Sequence, residues 1–385
     1  MNVLYLTMNQ SRRSTTVPTE GWFRFLAESG LRPVLVSREH GPFPDWAADR
    51  GIPVYYDPLA GPSKANPLPF ARSLWNLRTI VRRHRIDLIH CNEHDVYPVG
   101  QYLGRVCTLP VVVSVHFTID EDYCRWAFRG PKAPRRMFFV TRRSLEACRP
   151  ALEGVVPESK WRVLHNGLDL ERYRPDAGLG DRFRTEHGLD SRSLLVGVAC
   201  ALRPRKQLEH LFEAVSRLPD RSVEVVVAGF AVPGDEVYAD ELLDNARQRL
   251  GERLHFVGAL DDLRGFANAL DLFVNTSREE SFGLSVLEAL ACGCPAVGYD
   301  SHAVDEVMLP DGGEIVEQDN VDELVEVIGR WTRDREWLRP RRLAARRQAE
   351  RFDLRRLSRQ LWSAYLDVLS EAGQGARAGR LAGVR

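Results

Sequence analysis

Short apolar runs separated by helical segments recur along this chain, and that alternation restarts halfway. Residues 3–7, 33–37, 52–56, 87–90 and 110–115 are the apolar runs of the first half, and Trp22, Phe25 and Leu26 share one side of a helical segment over 21–29. The second series is 194–198, 223–228, 254–257, 272–275 and 295–298. Short strands alternating with helices form βαβ units, hence a parallel sheet covered on both faces. At 385 residues the chain exceeds what one core usually fills. Two α/β domains are therefore expected, residues 1–175 and 176–353, with Pro175, Gly178 and Gly180 marking a linker. A final helix over 354–370, striped by Leu357, Leu361, Tyr365 and Val368, is expected to pack back toward the first domain. Beyond Gly373 the Gly/Ala/Arg-rich tail is expected to fray.

Charge narrows the function. With 53 basic and 53 acidic residues, the chain lacks the basic surplus of a nucleic-acid binder. Its seven cysteines are scattered, and Cys292 and Cys294 lie in an Ala/Gly/Pro stretch without histidine, as small buried thiols do. No leader-like N-terminus or long apolar span is evident, so a cytoplasmic location is expected.

The most informative stretch is ESFGLSVLEALACGCP, residues 280–295. After a strand and a loop, Phe282, Gly283 and Leu284 open a helix with Leu284, Leu287, Leu290 and Ala291 on one side. Glycine lets backbone approach a ligand, and free amides at a helix start bind phosphate. Glu280 lies in the loop and Glu288 two turns along the helix. Two carboxylates there would repel phosphate unless they hold neutral hydroxyls, so sugar and ribose are natural partners. Upstream, LRPRK at 202–206 sets Arg203, Arg205 and Lys206 beside another helix start, a setting for a diphosphate. Taken singly, an amphipathic helix and a solvated basic turn would also explain these stretches.

Together with HNGLDLERYRP at 165–175, VVVAG at 225–229, HFVG at 255–258, DLIH at 87–90 and VSVH at 113–116, they resemble glycosyltransferase family 4. The likeness spans roughly residues 85–365 and is strongest at 194–306. It implies the GT-B fold, in the α/β class: two facing Rossmann-like domains with a deep interdomain cleft, the N-terminal one for acceptor and the C-terminal one for nucleotide-sugar donor. It implies transfer of a hexose-type sugar, with retention and without a metal or cofactor, from a nucleotide diphosphate sugar to a polar hydroxyl of a small molecule or glycan. UDP is favoured over GDP. By the resemblance, Lys206 and the amides of Phe282, Gly283 and Leu284 hold the diphosphate, Glu280 the transferred sugar and Glu288 the ribose. Gly258 turns beside the base, and His116 lies near the donor sugar; His116, Lys206 and Glu280 are the catalytic candidates. A nucleotide-sugar epimerase or hydrolase, or a binding protein that has lost catalysis, is the alternative.

Two departures stand out. Where the family has arginine five residues before the phosphate-loop lysine, this chain has Ala201, so Arg203 or Arg205 must supply the charge, with Arg203 preferred. Instead of a Gly-Gly pair the N-terminal loop reads MNQSRRSTTV at 8–17, which suits a polar or anionic acceptor and equally a disordered surface loop. Finally, residues 70–85 form an arginine-rich helical pattern with Leu74, Leu77, Ile80 and Val81 clustered. Such a helix either lies on an anionic bilayer, giving weak peripheral membrane contact, or packs before the next strand.

Overall fold

Side-chain alternation along single strands decides how the first sheet is covered. In the computed structural model, β1 (Asn2–Thr7) sends Leu4 and Leu6 into one apolar cluster and Val3 and Tyr5 into another, all fully buried. Both faces of the sheet are thus core, as in parallel sheets flanked by helices. The structure describes residues 1–12, 16–301, 303–333 and 335–374; the expected frayed tail lies outside them beyond Gln374.

Six further strands complete this sheet: β2 (Arg32–Ser37), β3 (Val54–Tyr56), β4 (Leu88–Cys91), β5 (Val111–Val115), β6 (Arg136–Phe139) and β7 (Trp161–Val163). All pair in parallel, in the order β3-β2-β1-β4-β5-β6-β7. The second sheet holds β8 (Leu194–Leu202), β9 (Val223–Ala231), β10 (Leu254–Gly258), β11 (Leu272–Asn275), β12 (Ala296–Tyr299) and β13 (Gly313–Val316). Its order, β10-β9-β8-β11-β12-β13, is again all parallel. Each sheet reverses direction of winding once, beside β1 and beside β8, and ligands of such sheets bind at the carboxyl ends of the strands flanking that reversal.

The chain forms two units, Met1–Gly167 with Leu354 onward, and Leu168–Asp353. The change of unit therefore precedes the expected boundary at Pro175. Residues after Gly167 are tied into the second unit: Arg346 donates to the carbonyls of Leu170 and Tyr173, and Leu168 bridges to Asp353.

The helix Leu354–Leu369 belongs to the first unit. Leu354 packs so close to the helix Thr16–Ala27 that a Cβ on Gly21 would stand 2.0 Å from its Cδ2. Farther along, the Tyr365 hydroxyl lies 2.8 Å from that of Tyr5 and 2.5 Å from His90 Nδ1, while His90 Nε2 meets Ser114 Oγ at 2.8 Å. This polar chain is buried and fully bonded, which makes the docking of the helix specific.

The apolar side of residues 70–85 packs against the first unit, as the packing reading expects. In the helix Leu68–His84, Leu77, Ile80 and Val81 are buried in the first unit's core, with Leu74 packed against it. The apolar cluster that suggested a bilayer faces protein. Among the described residues no helix is long and apolar enough to cross a membrane.

Candidate active site

In the second unit, the strand flanking the reversal on one side is β8. Beyond its end Arg203 leads into a short turn, Pro204–Lys206, and Gln207 takes a left-handed conformation (φ 46°) before the helix Leu208–Arg217 begins. That helix forms because Leu208, Leu211, Phe212 and Val215 recur at helical spacing and bury one face. Left-handed backbone at a non-glycine residue costs on the order of 1–3 kcal/mol and must be held by its surroundings. Here Gln207 Nε2 donates to Asp319 Oδ1 at 2.6 Å, and Asp319 is itself left-handed (φ 66°). Arg278 Nη2 donates to the other oxygen of Asp319 at 2.8 Å.

On the other side of the reversal, β11 ends at Asn275, whose Oδ1 accepts from Ser277 N. The loop that follows returns to the β8 turn at three points. Thr276 Oγ1 donates to Lys206 O at 2.8 Å, Arg278 N to Arg205 O at 2.9 Å, and Arg205 Nη1 to Glu279 O at 3.1 Å. Between them, Lys206 Nζ donates to Glu280 Oε2 at 2.7 Å and to Ser277 Oγ at 3.2 Å. Lys206 is buried, and the ion pair offsets its desolvation.

The loop then opens the helix Leu284–Ala291 through Gly283, which is left-handed (φ 88°) and provides no side-chain cap. Phe282 is buried edge-on against Phe352, fixing the angle at which the loop enters the helix. A helix start without a side-chain cap, next to a lysine, suits an anion. Two turns on, the Tyr173 hydroxyl hydrogen-bonds Glu288. Burial pushes Glu288 up to about 7, although that hydrogen bond pulls the other way and nearby Asp262 pushes it further up.

Lys206, Arg205, Glu280 and the helix start are thus brought together, but Arg203 is not among them. Its Nε lies 3.2 Å from Asp235 Oδ2. Ala201 pairs with Phe230 inside the long β8–β9 ladder. Gly258 ends β10, two strands from β8, and is left-handed (φ 72°) with nothing within 4 Å of where a Cβ would be. Asp262 accepts from Arg264 N at 3.0 Å just before the helix Arg264–Ala269.

In the first unit the strands beside the reversal, β1 and β4, and neighbouring β5 end in a second polar group. His116 is buried, and its Nε2 donates to Asn92 O at 2.9 Å. Burial holds His116 down at about 4 despite that bond. Glu93, also buried, accepts from Thr7 Oγ1 at 2.9 Å, Asn92 Nδ2 at 2.8 Å and Met8 N at 3.1 Å, and Asn92 Oδ1 accepts from Thr19 Oγ1 at 2.9 Å. Sequence reasoning missed Thr7, Asn92 and Glu93. The available signal was a run of polar residues immediately after β4.

Comparison with known proteins bears on the family and the fold. The model of glycosyl transferases group 1 matches residues 181–351, and that of glycosyltransferase family 4 matches residues 22–172. The chain is a glycosyltransferase with a family 4 domain and a group 1 domain. This glycosyltransferase is 23% identical over 314 residues to the UDP-Gal:alpha-D-GlcNAc-diphosphoundecaprenol alpha-1,3-galactosyltransferase of Escherichia coli, covering 78% of this chain and 80% of that one. It is 30% identical over 179 residues to the lipopolysaccharide core biosynthesis mannosyltransferase LpsB of Rhizobium meliloti, covering 45% and 51% respectively. Its fold matches that of HepE from Anabaena, solved in complex with UDP and glucose, at a TM-score of 0.82 and 21% identity, over 95% of this chain and 99% of that one. The GT-B fold is thereby shown.

Proposed function

We propose that this glycosyltransferase moves a sugar from a UDP-sugar to a polar acceptor hydroxyl, with retention of configuration and without a metal. The observation that carries the reading is the Lys206–Glu280 ion pair, at the reversal of the second sheet and beside the helix start at Gly283. As the sugar–phosphate bond lengthens, negative charge gathers on the departing diphosphate. Lys206, Arg205 and the amides of Phe282, Gly283 and Leu284 are arranged to meet that charge. Glu280 accepts hydroxyls of the transferred sugar and Glu288 those of the ribose, while His116 is the catalytic candidate of the first unit. The choice of UDP is supported by the E. coli relative, named for UDP-Gal, and by HepE, solved with UDP. That relative is also named for a diphosphoundecaprenol-linked acceptor, so a lipid-linked sugar is a suitable first acceptor to try. Peripheral contact with an anionic bilayer would fall on Leu68 and Trp75, exposed on the arginine-bearing helix Leu68–His84.

Incubation with labelled UDP-sugars tests the reading. Acceptor-dependent release of UDP with an α-linked product from an α-linked donor is expected. Release without acceptor would indicate the epimerase or hydrolase alternative. Tight UDP binding with no turnover would indicate the lapsed binding protein that Ala201 favours.

A further inference from the structure

A cavity of about 650 Å³ opens at the amino ends of β1, β2 and β3 in the first unit, with Asn2, Arg32 and Pro53 on its wall. The strands are parallel, so this is the end away from His116 and Glu93, about 20 Å distant along six residues of β1. Its lining includes Arg24, Arg32, Arg50, Arg83, His84 and Arg85, and no aspartate or glutamate. The floor is apolar, made by buried Phe23, Val34 and Trp46. Arg32, Arg50, Arg83 and Arg85 form no ion pair among the described residues. Arg32 donates to the carbonyls of Ala27 and Leu31, and Arg50 donates to Trp46 O and stacks on the Trp46 ring.

Helix ends attract cations, and Arg83 and Arg85 close the helix Leu68–His84. A helix C-terminus, however, carries only about half a negative charge. Four unpaired guanidinium groups far exceed it. Arg85 is moreover held left-handed (φ 49°), with its carbonyl accepting from Asn2 Nδ2 at 3.1 Å and that of His84 from the same nitrogen at 2.8 Å. The backbone that presents these arginines is therefore pinned to β1. Cavities of this volume accommodate metabolites.

We infer that this cavity is a second anion site, separate from the donor site, for a phosphate-bearing molecule with an apolar moiety. Two sources share that chemistry, a soluble phosphorylated metabolite and the headgroup of an anionic lipid. Calorimetric titration of the full chain at low salt uses tripolyphosphate as the probe, on the wild-type and Lys206→Ala proteins. A tripolyphosphate site is expected to persist in Lys206→Ala, to weaken with added salt, and to lose at least about tenfold in affinity in the R83E/R85E variant. Persistence in Lys206→Ala separates this site from the donor site, so either reading can fail alone. Competition by dihexanoyl phosphatidylglycerol but not by dihexanoyl phosphatidylcholine assigns the site to lipid; no competition by either assigns it to a soluble phosphate. The transfer rate of R83E/R85E should match wild type, and R83Q/R85Q carries the same test if the double reversal does not fold. Absence of a tripolyphosphate site in Lys206→Ala, or one indifferent to both pairs of substitutions, overturns the inference.

Discussion

Lys206 meets Glu280 across the carboxyl ends of β8 and β11, with Nζ 2.7 Å from Oε2. If the pair grips donor, Lys206→Ala and Glu280→Gln should each lower kcat/KM by about 100-fold or more, because charge and orientation at the reacting centre are lost. The two side chains keep 10% and 17% of their exposure, so stability should fall by about 1–3 kcal/mol, less than for a fully buried pair. Steady-state kinetics beside thermal melts check both. Lower melting with wild-type kcat/KM would leave the pair a purely structural role.

If Glu288 holds the ribose, nucleotide binding depends on pH. Its carboxyl, raised by burial to about 7, must ionise to accept two ribose hydroxyls. UDP binding should therefore release protons near neutrality and tighten from pH 6 to pH 8. Folding stability runs oppositely: a raised carboxyl contributes most below its unfolded value of 4.5 and loses that contribution as pH rises through 7. Calorimetry in buffers of different ionisation heat measures the protons released. Glu288→Gln should abolish the release and weaken UDP by about tenfold or more.

His90 and His116 are held neutral chiefly by burial, at about 3 and about 4. Both lie below the unfolded value of 6.5, so the unfolded chain takes up protons first as the medium acidifies. Their contribution to stability is present above 6.5 and is lost on the way down through 4. Melting temperature should drop steeply between those limits. Tyr365→Phe removes the hydroxyl shared by Tyr5 and His90 and should cost about 1–3 kcal/mol, read by denaturant titration.

Gly283 has room for a methyl group, its nearest neighbour being Val304 Cγ2 at 3.4 Å, but not the backbone for one at φ 88°. Gly283→Ala should cost about 1–2 kcal/mol and turn the first helical amides away from the diphosphate. A parallel loss of UDP affinity, measured by calorimetry, is the expected sign.

Transfer should continue in excess chelator, since side chains and amides meet the phosphate charge. Loss of activity on chelation, restored by a divalent ion, would overturn this.

Strands of unbroken apolar residues, such as 194–198, were legible in the sequence because both faces of a parallel sheet are buried. β6 was missed because it begins with Arg136, whose charge is met by Glu371, 235 positions later. β13, Gly-Glu-Ile-Val, has only two apolar side chains to announce it. At the site, Lys206 and Glu280 were legible from residue type and from their place in strand-to-helix loops. The ion pair of Arg203 was not, since it turns on Asp235 from the loop after β9. The bonds joining Glu93 to Thr7 and Met8 likewise depend on which strands become neighbours, a long-range property that no local pattern encodes.

The helix Leu354–Leu369 closes a core that Met1 and Val3 begin. On the ribosome, the first unit therefore begins before the second but waits until the second has been made before its apolar face is covered. The second unit, one uninterrupted segment, has no such wait and can fold while its neighbour is still open. Chains cut short before Leu354 should leave that face bare to chaperones and to aggregation, even when every donor-site residue has been made.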